Sequence, residues 1–385
     1  MKIVVAIDSF KGSLSSLAAG EAAARGFRRA FPDGEAVVRP LADGGEGTVD
    51  TLVAGLGGTF VHADVTGPMG APVRAKYGVL PDGRTAVMEM AEAAGITLVD
   101  RTRRDVWRAT TRGVGELVRD ALRRGCTRFL MGIGGSATND GGAGFLQGLG
   151  FSLLDDAGRE IGPGAAGLRT LARVEVPDAV RAELAACSFR IACDVANPLC
   201  GEKGASAVFG PQKGATPADV PELDAVLRRF AEISGHPSEA KSEGAGAAGG
   251  LGFALKAFLR AELAPGAEIV LAETKLEDFI RDADLVVTGE GRLDEQTVMG
   301  KAPIAVARLA KRHGRRVIAF SGCVTPGATA VNAAGIDAFF PILRTVTTLD
   351  EALDPVHAAD NLAATAEQVF RLMACGCPGK VRDGC

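Results

Sequence analysis

The densest chemical signal in the chain is Gly132-Ile-Gly-Gly-Ser-Ala-Thr-Asn-Asp-Gly-Gly-Ala-Gly144. Five glycines before Ala143 let backbone N–H groups turn toward an anion, and a helix starting there adds its positive N-terminal end. No Gly-Lys-Ser/Thr follows, so this is not a Walker A loop. Gly132-x-Gly134-x-x-Ala137, with Asp155 and Asp156 about twenty residues on, imitates a dinucleotide fingerprint and keeps an NAD-dependent hydroxy-acid dehydrogenase in contention. Asp194 closes a strand-like run before Val195-Ala-Asn-Pro198. A carboxylate fixed there can take a proton from an attacking hydroxyl, bind magnesium, or simply cap the turn. Lys213, in Phe209-Gly-Pro-Gln-Lys-Gly214, offers a cation to a transferring phosphoryl group, although most lysines are solvated surface groups. Gly244-Ala-Gly-Ala-Ala-Gly-Gly-Leu-Gly252 reads as a second anion turn or as close helix packing.

A second set of polar residues follows other strand-like runs: Asp8-Ser9-Phe10-Lys11-Gly12-Ser13, Asp43-Gly-Gly-Glu46-Gly47, Thr288-Gly-Glu290-Gly-Arg292-Leu-Asp294 and Ser321-Gly322. Ligands of open parallel sheets bind beyond the carboxyl ends of the strands. Acids, small residues and one lysine on that edge suit a phosphate site with a divalent cation. Helix and turn capping accounts for any single loop about as well.

The elements that must position these groups alternate at both chain ends. Residues 2–8 and 35–39 read as strands, with a helical stripe from Ser15 to Phe31 and a helix near Thr48–Ala54. Asp284–Gly289, Arg316–Gly322 and Ile336–Ile342 are buried-strand runs separated by helices, as a parallel sheet requires. In the middle, Val61–Gly67, Pro72–Leu80 and Thr85–Ala91 are joined directly by Gly/Pro turns, which predicts an antiparallel or mixed sheet. Arg128–Ile133 and Ser188–Asp194 are further strands there.

At 385 residues, two domains sharing a cleft are expected. A composition of 47% apolar and 23% charged residues argues against extensive disorder, and a net charge of −4 without a basic run argues against a nucleic-acid partner. Apolar runs fall short of the ~20 residues a membrane span needs, and no signal peptide opens the chain, so a cytoplasmic protein is expected. Eight scattered cysteines and four histidines do not form a zinc pattern.

The chain resembles the type 1 glycerate kinase family. The matching stretches are Asp8–Leu14, Ala42–Thr48, Gly132–Gly142, Cys193-Asp194 with Asn197-Pro-Leu199, Phe209–Gly214, Gly244–Gly250 and Thr288–Arg292. Seven motifs in order are far more specific than one glycine loop and favour the kinase over the dehydrogenase. Departures are small: Ile7 stands where the family more often has Pro, and Ser242-Glu243 precede the glycine run where Pro is common.

The resemblance implies ATP-dependent phosphorylation of D-glycerate with Mg2+, at the 2-hydroxyl rather than the 3-hydroxyl. It implies a discontinuous flavodoxin-like doubly wound α/β domain (1–62 plus 279–376), an inserted α/β domain with a mixed sheet (63–278) and a tail (377–385). Catalytic roles are expected for Asp194 and Lys11. Ser9, Lys11, Gly12, Ser13 and Arg292 are expected to bind the substrate. Gly134, Gly135, Ser136, Thr138, Asn139 and Lys213 are expected at the ATP phosphates, and Asp43, Glu46 and Glu290 at the metal. A homodimer is compatible with the sequence, and no nucleic-acid or membrane partner is expected.

Overall fold

The computed structural model describes residues 1–375, so the expected 377–385 tail lies outside the described residues. Strands β1 (Lys2–Ile7) and β2 (Glu35–Val38) open the chain. The middle supplies β3 (Thr59–Thr66), β4 (Pro72–Val79), β5 (Thr85–Glu89), β6 (Arg128–Gly132), β7 (Ser152–Leu154), β8 (Arg173–Glu175), β9 (Ser188–Ala192) and β10 (Glu262–Ala264). The end supplies β11 (Leu285–Leu293), β12 (Arg316–Val324) and β13 (Ala338–Pro341).

Two compact units result: Met1–Asp43 with Val270 onward, and Gly44–Ile269. The junctions thus differ from the expected 62/63 and 278/279. Helix Thr48–Leu56 belongs to the middle unit because it buries Val49 and Val53 over Gly78 of β4, where any side chain would collide with Val53. At the other junction, Arg39 donates to the Thr274 carbonyl at 2.7 Å, within the terminal unit.

The terminal unit carries a five-stranded parallel sheet in the order β13-β12-β11-β1-β2, the flavodoxin-like arrangement. Its interior strand β1 is apolar without interruption because both faces are covered. Ile3, Val5 and Ile7 join one core with helices Ser16–Ala30 and Pro355–Cys375, while Val4 and Ala6 alternate to the opposite face, equally buried. Phe27 meets Phe370 edge-on at 5.0 Å between those two helices. Ser15 caps the first helix by accepting from the Ala18 N–H. Ser16 ties two chemically important loops together, donating to the Ile7 carbonyl (2.7 Å) and accepting from the Leu41 N–H (2.9 Å).

The middle unit holds a six-stranded mixed sheet in the order β10-β9-β6-β5-β4-β3. Its β3-β4-β5 portion is antiparallel, as the direct Gly/Pro connections require, and the rest is parallel. The hairpin β7–β8 escapes sequence reading because its strands have only three residues each. It also removes the dinucleotide reading of this stretch. Asp155 sits in the turn after β7, accepting from the Ala157 and Arg159 N–H groups, rather than at the end of a parallel strand. Among the described residues no helix is long and apolar enough to cross a membrane.

Candidate active site

In the middle unit, the loop after β6 and the turn after β9 line a cavity of about 370 Å3. Gly134, Gly135, Ser136, Asp194 and Lys213 all face it, together with apolar Ile96, Ile133 and Phe209. Three stretches spread over eighty residues of sequence therefore meet at one cavity.

Lys213 is not a surface lysine. It is only 2% exposed, and its Nζ donates to Ser136 Oγ (2.7 Å) and to the Thr138 carbonyl (2.6 Å). Burial pushes its pKa down to about 7, with the buried Asp140 carboxylate opposing that fall. An ammonium has three donors, so one remains beyond those two bonds. Asp140, which the motif reading left without a role, holds the loop. Its carboxylate accepts from the N–H groups of Thr111 (2.8 Å), Gly142 (3.1 Å) and Gly144 (3.2 Å) and from the Thr111 hydroxyl. Burial raises the Asp140 pKa despite these bonds.

Thr138 and Asn139 are fully buried and do not line the cavity. Thr138 contributes its carbonyl to Lys213, and Asn139 donates to Ser206 Oγ at 2.9 Å. Both shape the loop from behind. The second glycine run joins the same cavity through Ala247 and Ala248. Residues 248–250 are all left-handed, and a side chain at Gly249 would run into the Thr138 carbonyl. Asp194 accepts from the Gly266 N–H at 3.2 Å, which anchors one carboxylate oxygen at the cavity wall.

The terminal unit gathers the other set of groups at the carboxyl ends of β1 and β11. Asp8, 7% exposed, accepts from the Ser9 N–H at 2.7 Å. Burial and then the negative charges of Asp43 and Glu290 push its pKa up to about 7, against the pull of Lys11. Ser9, Lys11, Gly12 and Ser13 share one tight turn. In it Ser13 and Leu14 N–H groups donate to the Phe10 carbonyl, and Gly12 has φ +80°. Ser13 Oγ is buried with no hydrogen-bond partner, an orphan hydroxyl inside the turn. Lys11 reaches to 3.6 Å from Asp43 and is otherwise solvated.

The strand β11 continues four residues past Gly289, so Glu290 and Arg292 are strand residues paired with Ser321 and Cys323 rather than parts of a loop. Glu290 accepts from Thr297 Oγ1 at 2.7 Å, and burial raises its pKa. Arg292 is largely exposed, 3.7 Å from Asp294.

Of the expected metal ligands, Asp43 and Glu290 lie with Asp8. Glu46 is exposed and belongs to the middle unit, where Glu89 pins its loop by accepting from the Val49 N–H at 2.9 Å. Among the described residues no three His, Cys, Asp or Glu side chains gather closely enough to ligate one ion. Burial and then the neighbouring acid charges raise Asp8, and a cation beside it would offset both, so these carboxylates fit an ion such as magnesium, which takes one or two carboxylates and fills its shell with water and phosphates.

Asp8 and Asp140 lie inside stretches singled out from sequence but were given no role of their own, whereas Thr297 and Lys301 were not singled out.

Residues 3–374 match the family model described as the Glycerate kinase family. The Glycerate 2-kinase of Escherichia coli K12 is 47% identical over 379 residues, covering 98% of this chain and 99% of the relative. The Glycerate kinase of Bacillus subtilis 168 is 49% identical over 372 residues, covering 96% and 97%. A crystal structure described as glycerate kinase 2 from Salmonella typhimurium LT2 superposes with a TM-score of 0.89 at 46% identity, covering 98% of this chain and 99% of its own.

Proposed function

Because the chain belongs to the glycerate kinase family along nearly its whole length, we propose that it transfers the γ-phosphoryl group of ATP to the 2-hydroxyl of D-glycerate, giving 2-phosphoglycerate and ADP. The observation that carries the phosphoryl-transfer reading is the middle-unit cavity, where a glycine loop, a buried lysine and a carboxylate converge. The 2-position is favoured by the name of the Escherichia coli relative.

Gly134, Gly135 and Ser136 turn toward the ATP phosphates, and Lys213 directs its remaining N–H to the same oxygens. An anion there also favours the protonated lysine, which burial alone disfavours. Thr138, Asn139 and Asp140 hold this loop in shape. Asp194 orients the attacking hydroxyl and accepts its proton as the oxygen bonds to the γ-phosphorus and the bridge to the β-phosphate breaks. The turn Ser9–Ser13, with Lys11, and Arg292 receive the hydroxy acid. Asp43 and Glu290 would hold Mg2+, which would supply positive charge to offset the negative charge of the transferring phosphates. Because this chemistry needs little covalent participation, most of the acceleration comes from positioning and charge stabilisation.

The test is ADP release with D-glycerate, ATP and Mg2+, coupled to enolase. Glycerate-dependent ADP release with immediate phosphoenolpyruvate supports the 2-kinase. ADP release without phosphoenolpyruvate moves the product to 3-phosphoglycerate, and absence of ADP release from folded protein rejects the substrate.

A further inference from the structure

The carboxyl end of β11 holds one cation that the motif reading leaves without a role, Lys301. It follows left-handed Gly300 and occupies the N-cap of helix Ala302–Arg312. That position favours Ser, Thr, Asp or Asn, whose oxygen accepts a helix N–H. Lysine has no acceptor, its charge opposes the positive end of the helix, and no acid stands in the first turn. Helix stability therefore does not account for a lysine here.

Its neighbours do not consume it either. Lys301 Nζ lies 3.6 Å from Asp294 and 3.9 Å from Glu290, close enough to be steered but too far for a hydrogen bond. Both acids are fixed by other donors. Glu290 accepts from Thr297 Oγ1, and Asp294 accepts from the Gln296 and Thr297 N–H groups at 3.0 and 3.1 Å. The two carboxylates thus hold an ammonium in place while leaving its three N–H donors unused among the described residues. An anion docked on Lys301 would turn an unfavourable cation at a helix N-terminus into a favourable ion pair in the same field. Arg292, the cation expected here from sequence, is more exposed (64% against 36% for the side chains) and among the described residues meets only Asp294.

We propose that Lys301 is a substrate-binding residue whose ammonium, held by Glu290 and Asp294, takes the carboxylate of the hydroxy-acid substrate. The assignment rests on the glycerate kinase reading above and adds the group that makes an acid, rather than a neutral polyol, the preferred acceptor.

The experiment compares D-glycerate with glyceramide, its uncharged amide, as substrate or competitive inhibitor of wild-type protein, K301M and K301R. Loss of one charge-assisted hydrogen bond predicts that K301M raises KM for D-glycerate about 10- to 100-fold, leaving KM for ATP and the affinity for glyceramide within about twofold. K301R retains most of the preference for the acid, and R292M changes it less than K301M does. Unchanged KM for D-glycerate in K301M overturns the assignment. Equal losses for acid and amide, or a raised KM for ATP, overturn it in favour of a structural or phosphoryl-binding role. Wild-type protein that neither binds nor phosphorylates D-glycerate overturns this assignment together with the kinase reading beneath it.

Discussion

The acid end of the terminal sheet and the lysine-floored cavity of the middle unit follow opposite electrostatic plans. In the first, Asp8 is buried beside Asp43 and Glu290 and titrates near 7 instead of near 4. In the second, Lys213 is buried against Ser136 and Thr138 and also titrates near 7, having come down from 10.5. Each region buries a group whose charged form the fold disfavours, and the two groups are of opposite sign. Their consequences for stability run in opposite directions. With Asp8 raised, the folded chain holds more protons from about pH 4 to 7, so stability falls as pH rises through that window. With Lys213 lowered, the unfolded chain holds more protons from about pH 7 to 10.5, and stability rises with pH. The combined cost peaks near neutral pH.

The comparison breaks most visibly at Lys213. The K213M variant is expected to lower kcat/KM for ATP about 100- to 1,000-fold, the usual cost of removing a donor aimed at developing charge. The same substitution should stabilise the ligand-free protein at pH 6, by an amount on the order of 2–4 kcal/mol, because it removes a buried ammonium. Near pH 10.5 it should destabilise, since a neutral lysine still bonds Ser136 and Thr138. Denaturant melts at the two pH values check both signs. A loss of activity with no change in the pH slope would mean that Lys213 keeps its ordinary pKa, and so its proton, in the folded chain.

The counterpart test in the terminal unit is D8N. In chelator-treated protein at pH 8 it should raise stability by roughly 2–4 kcal/mol, and the gain should vanish below about pH 4, where both states are protonated. Equal melts for D8N and wild type at pH 8 would show that burial and the acidic neighbours do not raise the Asp8 pKa in the folded chain.

These two regions were unequally legible in the sequence. Buried parallel strands betray themselves as continuous β-branched runs, which is why β1 and β12 could be read directly. The extension of β11 through Leu293 could not, because Gly289 and Gly291 look like a loop until β12 supplies a partner along the whole length. In the middle unit the motifs marked Gly134–Ser136, Asp194 and Lys213, but not that Lys213 would bond a serine 77 residues away and lose its solvent. Asp43 and Glu46 are three residues apart in sequence, and the boundary between the two units, which no sequence signal marks, falls between them. Lys301 left no signal, because an N-cap lysine is informative only once the helix start and its acidic neighbours are located.

The smallest effect sharpens what the cavity costs in backbone terms. Ala248 adopts φ +53°, a left-handed conformation that disfavours any side chain, and it does so where the second glycine run meets the glycine loop. Glycine at this position removes the clash but enlarges the freedom of the unfolded chain. With the left-handed penalty at about 1–2 kcal/mol and the entropy term at up to about 1 kcal/mol, A248G should gain roughly 0.5–1 kcal/mol in a melt. The unit with the buried lysine would then also be the one storing backbone strain at its site. The terminal unit, whose left-handed site residues Gly12 and Gly300 are already glycines, would hold its tension there in charge alone. A destabilised A248G would reverse that distinction and mean that the Ala248 methyl group, which lines the cavity, contributes more by packing than its conformation costs.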